Sequence, residues 1–475
     1  MWFASLLAMV LPAVVSGQSV ATVANAVVTK VNLNQTAIDT YVHAADPAYA
    51  WKVVQRQETP AGTAYVVDLT SQSWLTPQEV DRTLWKHWLA IFVPAGVTSD
   101  KALLFIGGGS NGKGPPGEID ERVLQIGMAT KSVVAELGTI PNQPLIFHHD
   151  GVPRVEDDLI GYTWDQYLKT GDSRWPARLP MVKSVVRAMD TIQALLKSPE
   201  GGKHAIEQFI VAGGSKRGWT TWMTAAVDRR VAGIMPIVID VLNVDVSMRH
   251  HYSAYGFWAP AVGDYVDHRI MQRRNNPRYQ ELLQLVDPFA YRDRFTMPKC
   301  IINASGDQFF APDSSQFYFD ELPGEKMLCY VPNADHSLNG SNALDTLVAF
   351  QYAMVNDIPR PEFSWKRQAE NQIVVTAKTK PDRVLLWEAT NEKARDFRVE
   401  SIGRAYTSSE LRPSGSSNRY VGEVAVPVHG WRAYFVQLEF DIGAPRPMRL
   451  SSAVQIVPDT LPFADREPPT DSQEQ

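Results

Sequence analysis

From about Trp51 to Pro361, short apolar strand-like runs alternate with helix-like stretches, and this rhythm is what most constrains the fold. ALLFIGG (102–108) reads as a buried strand entering a glycine cluster, and 119–137 has helical spacing. QPLIFHHD (143–150) reads as the next strand, and 179–196 as a helix. QFIVAGGS (208–215) is a strand running into a tight turn, with a helix over 216–227. VAGIMPIVID (231–240), KCIINASGD (299–307) and KMLCYVPNADH (326–336) continue the strands, and 343–356 closes with a helix. Strands this apolar, separated by helices, bury both faces. They predict an α/β fold with a mostly parallel sheet and helices on both sides.

Two segments break the rhythm. Residues 243–297 are rich in aromatics and histidine (HHYSAYGFWAPAVGDY) and fall between two sheet strands, where an insertion caps the carboxyl ends of the strands. After Pro361, six short alternating runs between 371 and 458 predict a separate C-terminal β-sandwich over 366–460. The main domain spans 18–365, and the polar tail 461–475 is expected to be disordered. The chain opens MWFASLLAMVLPAVVSGQ, uncharged through Gly17 and too short in its apolar run to span a bilayer. This reads as a signal peptide over 1–17, predicting a secreted protein, extracellular or periplasmic, with no membrane span.

Composition removes several function classes. A net charge of −6, with no basic block, disfavours nucleic acid as a partner. Two cysteines exclude a disulfide-built scaffold and a cysteine-rich zinc site. Cys300 and Cys329 lie at matching depths on successive strands; buried free thiols are expected, with a cross-strand disulfide as the alternative.

The chemistry concentrates in VAGGSKRGW (211–219). A serine on a strand-to-helix turn stands exposed at the sheet edge, and its neighbours must be small because the backbone there is strained. Gly213 and Ser215 match G-x-S-x-G, but Arg217 intervenes and the second glycine, Gly218, comes one place late. Downstream, Asp307 follows one buried strand and His336 the next. The chain order Ser215, Asp307, His336 is that of an α/β-hydrolase triad. Serine needs histidine as its base, and the carboxylate fixes the imidazole tautomer. Asp240, after VAGIMPIVID, is a second candidate for the acid, whereas Asp335 is expected to point away from the imidazole. The amide of Lys216 and the glycine loop GGGSNGKGPPG (107–117), through Gly108 and Gly109, are the candidate oxyanion hole. A phosphate-loop reading of that segment fails because Gly114 stands where serine or threonine is required. Trp219, Tyr255 and Trp258 are candidate pocket residues. The pairs His148–His149 and His250–His251 read as pocket lining or ordinary hydrogen bonding, so no metal or cofactor is expected.

The blocks at 154–191, 213–244, 286–315 and 322–338 resemble the PhoPQ-activated pathogenicity-related protein family. The resemblance covers roughly 34–458. It implies an exported α/β-hydrolase-like protein linked to host interaction or to resistance against membrane-active peptides, and it supplies no substrate. The elbow is also locally similar to that of glucuronoyl esterases, which implies that the Lys216 charge adds to the oxyanion hole. The leading expectation is a serine hydrolase cleaving an ester or amide of a small-molecule or peptide substrate. A non-catalytic secreted binding or signalling protein with a host or cell-surface partner is the alternative, because the family includes a secreted proliferation repressor. A peptidase would need carboxylates such as Glu156 and Asp157 to hold a substrate amine.

Overall fold

The computed structural model describes residues 35–415 and 418–470. The expected signal peptide lies outside these residues. The strands of the main sheet are β1 (Ala50–Thr59), β2 (Gly62–Ser73), β3 (Leu84–Pro94), β4 (Lys101–Ile106), β5 (Val133–Leu137), β6 (Gln208–Gly214), β7 (Val231–Ile237), β8 (Lys299–Ala304) and β9 (Lys326–Val331). β1 to β3 form antiparallel hairpins, and β3 pairs antiparallel with β5. From there the sheet is parallel, in the order β5-β4-β6-β7-β8-β9. The helices are α1 (Ala37–His43), α2 (Glu121–Thr130), α3 (Glu156–Thr170), α4 (Arg178–Lys197), α5 (Lys216–Val227), α6 (Val244–Tyr255), α7 (Gly263–Asp267), α8 (Pro277–Val286) and α9 (Ala343–Val355). α2 packs on α9, while α1 and α5 pack on α4 and give the sheet a second helical layer. This is the α/β-hydrolase architecture.

One stretch departs from the sequence pattern. The helix expected over 119–137 stops at Thr130, because Lys131 turns left-handed at φ 50°, and the β-branched pair Val133–Val134 starts β5. The strand expected at 143–150 forms only isolated bridges, Val80 to Phe147 and Leu145 to Arg154. Pro141 and Pro144 each lack the amide hydrogen a ladder needs.

The insertion between β7 and β8 folds as α6, α7, α8 and short 3₁₀ turns. It is fastened to α3: Tyr265 donates to Asp157 at 3.0 Å, His268 contacts Asp158 at 2.6 Å, and Arg273 pairs with Asp165 at 2.8 Å.

The C-terminal strands are β10 (Phe363–Ala369), β11 (Gln372–Ala377), β12 (Arg383–Asn391), β13 (Thr407–Glu410), β14 (Arg419–Glu423), β15 (Trp431–Phe440), β16 (Met448–Ser451) and β17 (Gln455–Val457). β10, β11 and β14 form one antiparallel sheet. The others form a second, which the sequence pattern suggested would be separate. Instead it continues the main sheet, in the order β9-β16-β15-β12-β13. β16 joins β9 at Ser451 and Leu328, and the Tyr330 amide donates to Ser451 Oγ at 2.9 Å. The junction is apolar on both sides: Cys329 and Val331 of β9 share one core with Val436, Leu438 and Leu450. An uncovered β9 would be an apolar edge open to other chains.

Residues 461–466 also differ from the disordered tail expected. The Phe463 amide donates to the Ser253 carbonyl at 3.0 Å, and the Phe463 ring fills the space beside Gly256, strapping the chain across the end of α6. Cys300 pairs with Met327 and Cys329 with Ile302, so the cysteines are offset by two residues along the paired strands; both are free and buried.

Because the edge of β9 opposite β8 is covered by the C-terminal strands, a chain ending at Pro361 is expected to lose cooperative unfolding and to aggregate. Urea titration of truncated and full-length protein, followed by circular dichroism, checks this. A sharp two-state transition in the truncated chain would contradict it.

Candidate active site

β6 ends in Gly213–Gly214, and Ser215 follows at φ 57°, ψ −127°, a region a side chain rarely adopts. The strain is held from two directions. The Ser215 amide donates to the Ile237 carbonyl at 2.8 Å, and α5 starts at once, with the Trp219 amide donating to the Ser215 carbonyl at 3.0 Å. α5 sits so close to β6 that a Cβ on Gly213 would lie 2.7 Å from the Arg217 carbonyl, and one on Gly218 would lie 2.8 Å from that of Gly213. The late second glycine therefore still does its packing work. Arg217, in the usual glycine position, points across to Gly108, where a Cβ would meet Nη2 at 2.8 Å.

Asp307 and His336 follow β8 and β9 at the same edge. His336 Nδ1 lies 2.8 and 3.0 Å from the two Asp307 oxygens. An ionised carboxylate only accepts, so Nδ1 carries the proton and Nε2 is left with its lone pair. Nε2 is buried and has no hydrogen-bond partner among the described residues. Gln308 Oε1 holds the His336 amide at 2.9 Å, and the Phe309 ring lies 4.3 Å from the imidazole. Asp335 turns away and accepts from Ser337.

Asp240, the other candidate acid, does not reach His336. It accepts from Tyr318 at 2.7 Å and Tyr330 at 2.5 Å beneath the site. Burial pushes its carboxyl up to about 7, against the pull of the two hydroxyls.

The amide of Lys216 is the first of α5, so no carbonyl of its own helix faces it, and the helix dipole favours negative charge there. In the glycine loop, the Gly107 carbonyl accepts from the Ile140 amide at 3.2 Å and the Gly108 carbonyl from that of Thr139 at 2.7 Å. Across a planar trans peptide the N–H points opposite to the C=O, so the amides of Gly108 and Gly109 face away from the 139–140 segment.

The Lys216 side chain is not free to reach an oxyanion. It is buried, with Nζ 2.8 Å from Glu156 and 3.0 Å from Asp157. Glu156 also takes Arg217 at 2.6 Å and Gln143 at 2.7 Å. Burial alone would raise Glu156, but the charges of Lys216 and Arg217 outweigh it and hold the carboxyl at about 2.

A cavity of about 50 Å³ opens beside Ser215. Trp164, Trp219, Met248, Phe309 and Phe310 give it apolar walls, with Asp157, Arg178, Lys216 and Tyr265 as polar members. Of the sequence candidates, Trp219 belongs to this cavity. Tyr255 and Trp258 lie elsewhere in the cap: Tyr255 packs between His251 and Phe257, and Trp258 against His251 and Tyr252. Arg178 and Tyr265 carry no sequence motif. The Phe309–Phe310 pair directly after Asp307 was visible and could have been read as cavity wall.

The remaining histidine pairs are structural. His148 contacts the Tyr162 hydroxyl, and His251 accepts from the Ala259 amide. His250 lies 3.0 Å from Asp313, which also takes Arg395 of the C-terminal region at 2.7 Å. This buried node ties the cap, the loop carrying Asp307 and the C-terminal strands together. Among the described residues no histidine, cysteine and carboxylate cluster has metal-binding form.

The model of one family, described as PhoPQ-activated pathogenicity-related protein, matches residues 38–398. The chain belongs to this family. Autocrine proliferation repressor protein A of Dictyostelium discoideum is 39% identical to this PhoPQ-related chain over 457 residues, covering 90% of it and 92% of that protein. Among solved structures, acetyl xylan esterase 1 from Thermoanaerobacterium sp. JW/SL YS485 is similar with a TM-score of 0.47 at 14% identity, covering 67% of this chain and 93% of that one. A glucuronoyl esterase from Solibacter usitatus has a TM-score of 0.39 at 14% identity, over 67% of this chain and 90% of its own.

Two outcomes follow. Arg395→Met leaves Asp313 buried with only His250 and the neutral Gln316 amide, so it should cost about 3–5 kcal/mol in urea unfolding; a loss below about 1 kcal/mol would contradict the node. Asp240 titrates near 7 when folded, against an ordinary 3.8. Between these values the folded state holds one more proton, so stability falls as pH rises and levels off above about 7. The Tm of Asp240→Asn relative to the parent should therefore climb between about pH 4 and 7 and stay constant above; parallel profiles would contradict this.

Proposed function

We propose that this PhoPQ-related protein is a serine hydrolase that cleaves an ester through an acyl-enzyme. The observation that carries the reading is the Asp307–His336 pair, whose Nε2 has no partner among the described residues, at the same sheet edge as a serine held in a strained elbow. Ser215 Oγ attacks the acyl carbon as its proton passes to His336 Nε2. Asp307 keeps the imidazole in the Nδ1–H tautomer and stabilises the imidazolium. The developing oxyanion is met by the Lys216 amide and by those of Gly108 and Gly109. Collapse expels the alcohol, which takes the proton from His336. Water then repeats the sequence to free the acid and restore Ser215. Lys216 Nζ serves indirectly: bound to Glu156 and Asp157, it anchors the start of α5.

A peptidase gripping a substrate amine through Glu156 and Asp157 is disfavoured, because Lys216, Arg217 and Tyr265 already occupy both carboxylates. We also propose that the protein is exported. The 1–17 segment supports this, as does the word autocrine in the name of a relative similar along nearly its whole length. That name favours a second reading, a secreted regulator on a hydrolase scaffold. A growth effect kept intact by Ser215→Ala would separate signalling from catalysis.

A fluorophosphonate probe should label the purified protein and leave Ser215→Ala unlabelled. Asp307→Asn should keep the fold and lower kcat on an activated ester by on the order of 10⁴. Absence of labelling in the folded parent protein, or equal labelling of Ser215→Ala, would overturn the hydrolase reading.

A further inference from the structure

Among the polar groups of the cavity that the proposed triad does not use, Arg178 stands apart because it lacks a paired carboxylate among the described residues. It opens α4, is 1% exposed and lines the same cavity as Ser215. Its guanidinium lies 4.4 Å over the Trp219 ring, and Nη1 donates to the Lys216 carbonyl at 2.9 Å. Nε has no hydrogen-bond partner, and no carboxylate is ion-paired with the group, among the described residues. Burying a guanidinium without a counter-ion is costly. Burial does push its pKa below the ordinary value, and Tyr265 and Asp157 offset this only in part.

The two carboxylates nearby are already committed. Glu156 and Asp157 are shared among Lys216, Arg217 and the Tyr265 hydroxyl. Three cations and two carboxylates leave one positive charge, and Arg178 carries it at a wall of the cavity. Asp157, Lys216 and Tyr265 also line the cavity but are bonded to one another, the remaining walls are aromatic or aliphatic apart from Ser215, and about 50 Å³ admits only a few heavy atoms. Planar forked donors in an apolar recess match a carboxylate, which can accept two bonds at once. An uncharged acyl chain would leave the unpaired donor as costly as before.

We propose that the cavity beside Ser215 seats a short carboxylate-bearing group of the substrate, with Arg178 as its counter-ion. The substrate class is then an ester that carries a free carboxylate a few atoms from the scissile bond. This rests on Ser215 being the nucleophile, since it is the cavity's position beside Ser215 that makes the ligand a substrate group.

The test measures binding apart from turnover. Calorimetry on full-length Ser215→Ala compares monomethyl succinate with its carboxamide isostere, methyl succinamate, and acetoxyacetate with acetoxyacetamide. The first pair places the charge on the acyl side, the second on the alcohol side. In at least one pair the carboxylate should bind about tenfold or more tighter, as a hydrogen bond to a charged partner implies. Adding Arg178→Met should reduce that ratio to near one, and Arg178→Lys should restore part of it. Equal affinities within both pairs, or no binding of any probe, would overturn the proposal, and this comparison stands even if Arg178→Met does not fold. A ratio unchanged in a folded Arg178→Met variant would overturn it as well. Failure of the hydrolase reading appears elsewhere, as absent fluorophosphonate labelling, so the two failures are distinguishable.

Discussion

The left-handed backbone of Ser215 is the constraint on which the site depends. Such a conformation costs on the order of 1–3 kcal/mol and persists only when its surroundings over-determine it. Here β6 fixes the approach, the Ile237 carbonyl fixes the Ser215 amide, and α5 fixes the departure. The close contact of α5 with β6 is possible only because positions 213 and 218 lack side chains. Three features of the candidate site follow from that turn. It lifts Ser215 off the sheet and aims the first amides of α5. It also carries Lys216 and Arg217 into the acidic start of α3.

Around this turn the protein replaces solvent with charge pairs. α3 offers Glu156 and Asp157 to the elbow, and Asp157 and Asp158 to the cap, so one short stretch of backbone joins the Ser215 turn to the insertion. On the other side, Asp313 holds His250 of the cap and Arg395 of the connection between β12 and β13. Burial works against the Asp313 charge, but the two partners outweigh it and hold the carboxyl well below its usual range. The C-terminal strands are thus a buttress for the loop that bears Asp307: the Val399 amide donates to the Gly306 carbonyl at 2.9 Å, one residue before the acid. This is why a region that reads as a separate sandwich shares a sheet and a core with the rest.

Much of this was legible in the chain itself. The apolar runs ending in Gly213–Gly214, Ala304 and Val331 mark strands β6, β8 and β9, because buried parallel strands carry continuous apolar sequence. Chain order alone put Ser215, Asp307 and His336 at their carboxyl ends. What escaped was information that local pattern does not hold. Lys131 ends α2 through a left-handed residue that is neither glycine nor asparagine, so β5 merged with the helix before it. The Lys216 charge reads as an addition to the oxyanion hole, because its partners Glu156 and Asp157 are distant in sequence. Arg178, Tyr265 and Met248 meet at the cavity only through the folding of the cap. Tyr255 and Trp258 have the composition of pocket residues and pack instead with each other's neighbours inside the cap, one of them beneath Arg398.

In the proposed mechanism Ser215, His336 and Asp307 form one nucleophilic device. The most direct measurement is the intact mass of the protein quenched in acid during turnover of an aryl ester, followed by peptide mapping. The account predicts a mass increase equal to the acyl group, located on the peptide carrying Ser215 and lost in Ser215→Ala. Turnover with the acyl group on another residue, or with none trapped on a protein whose hydrolysis survives Ser215→Ala, would contradict it.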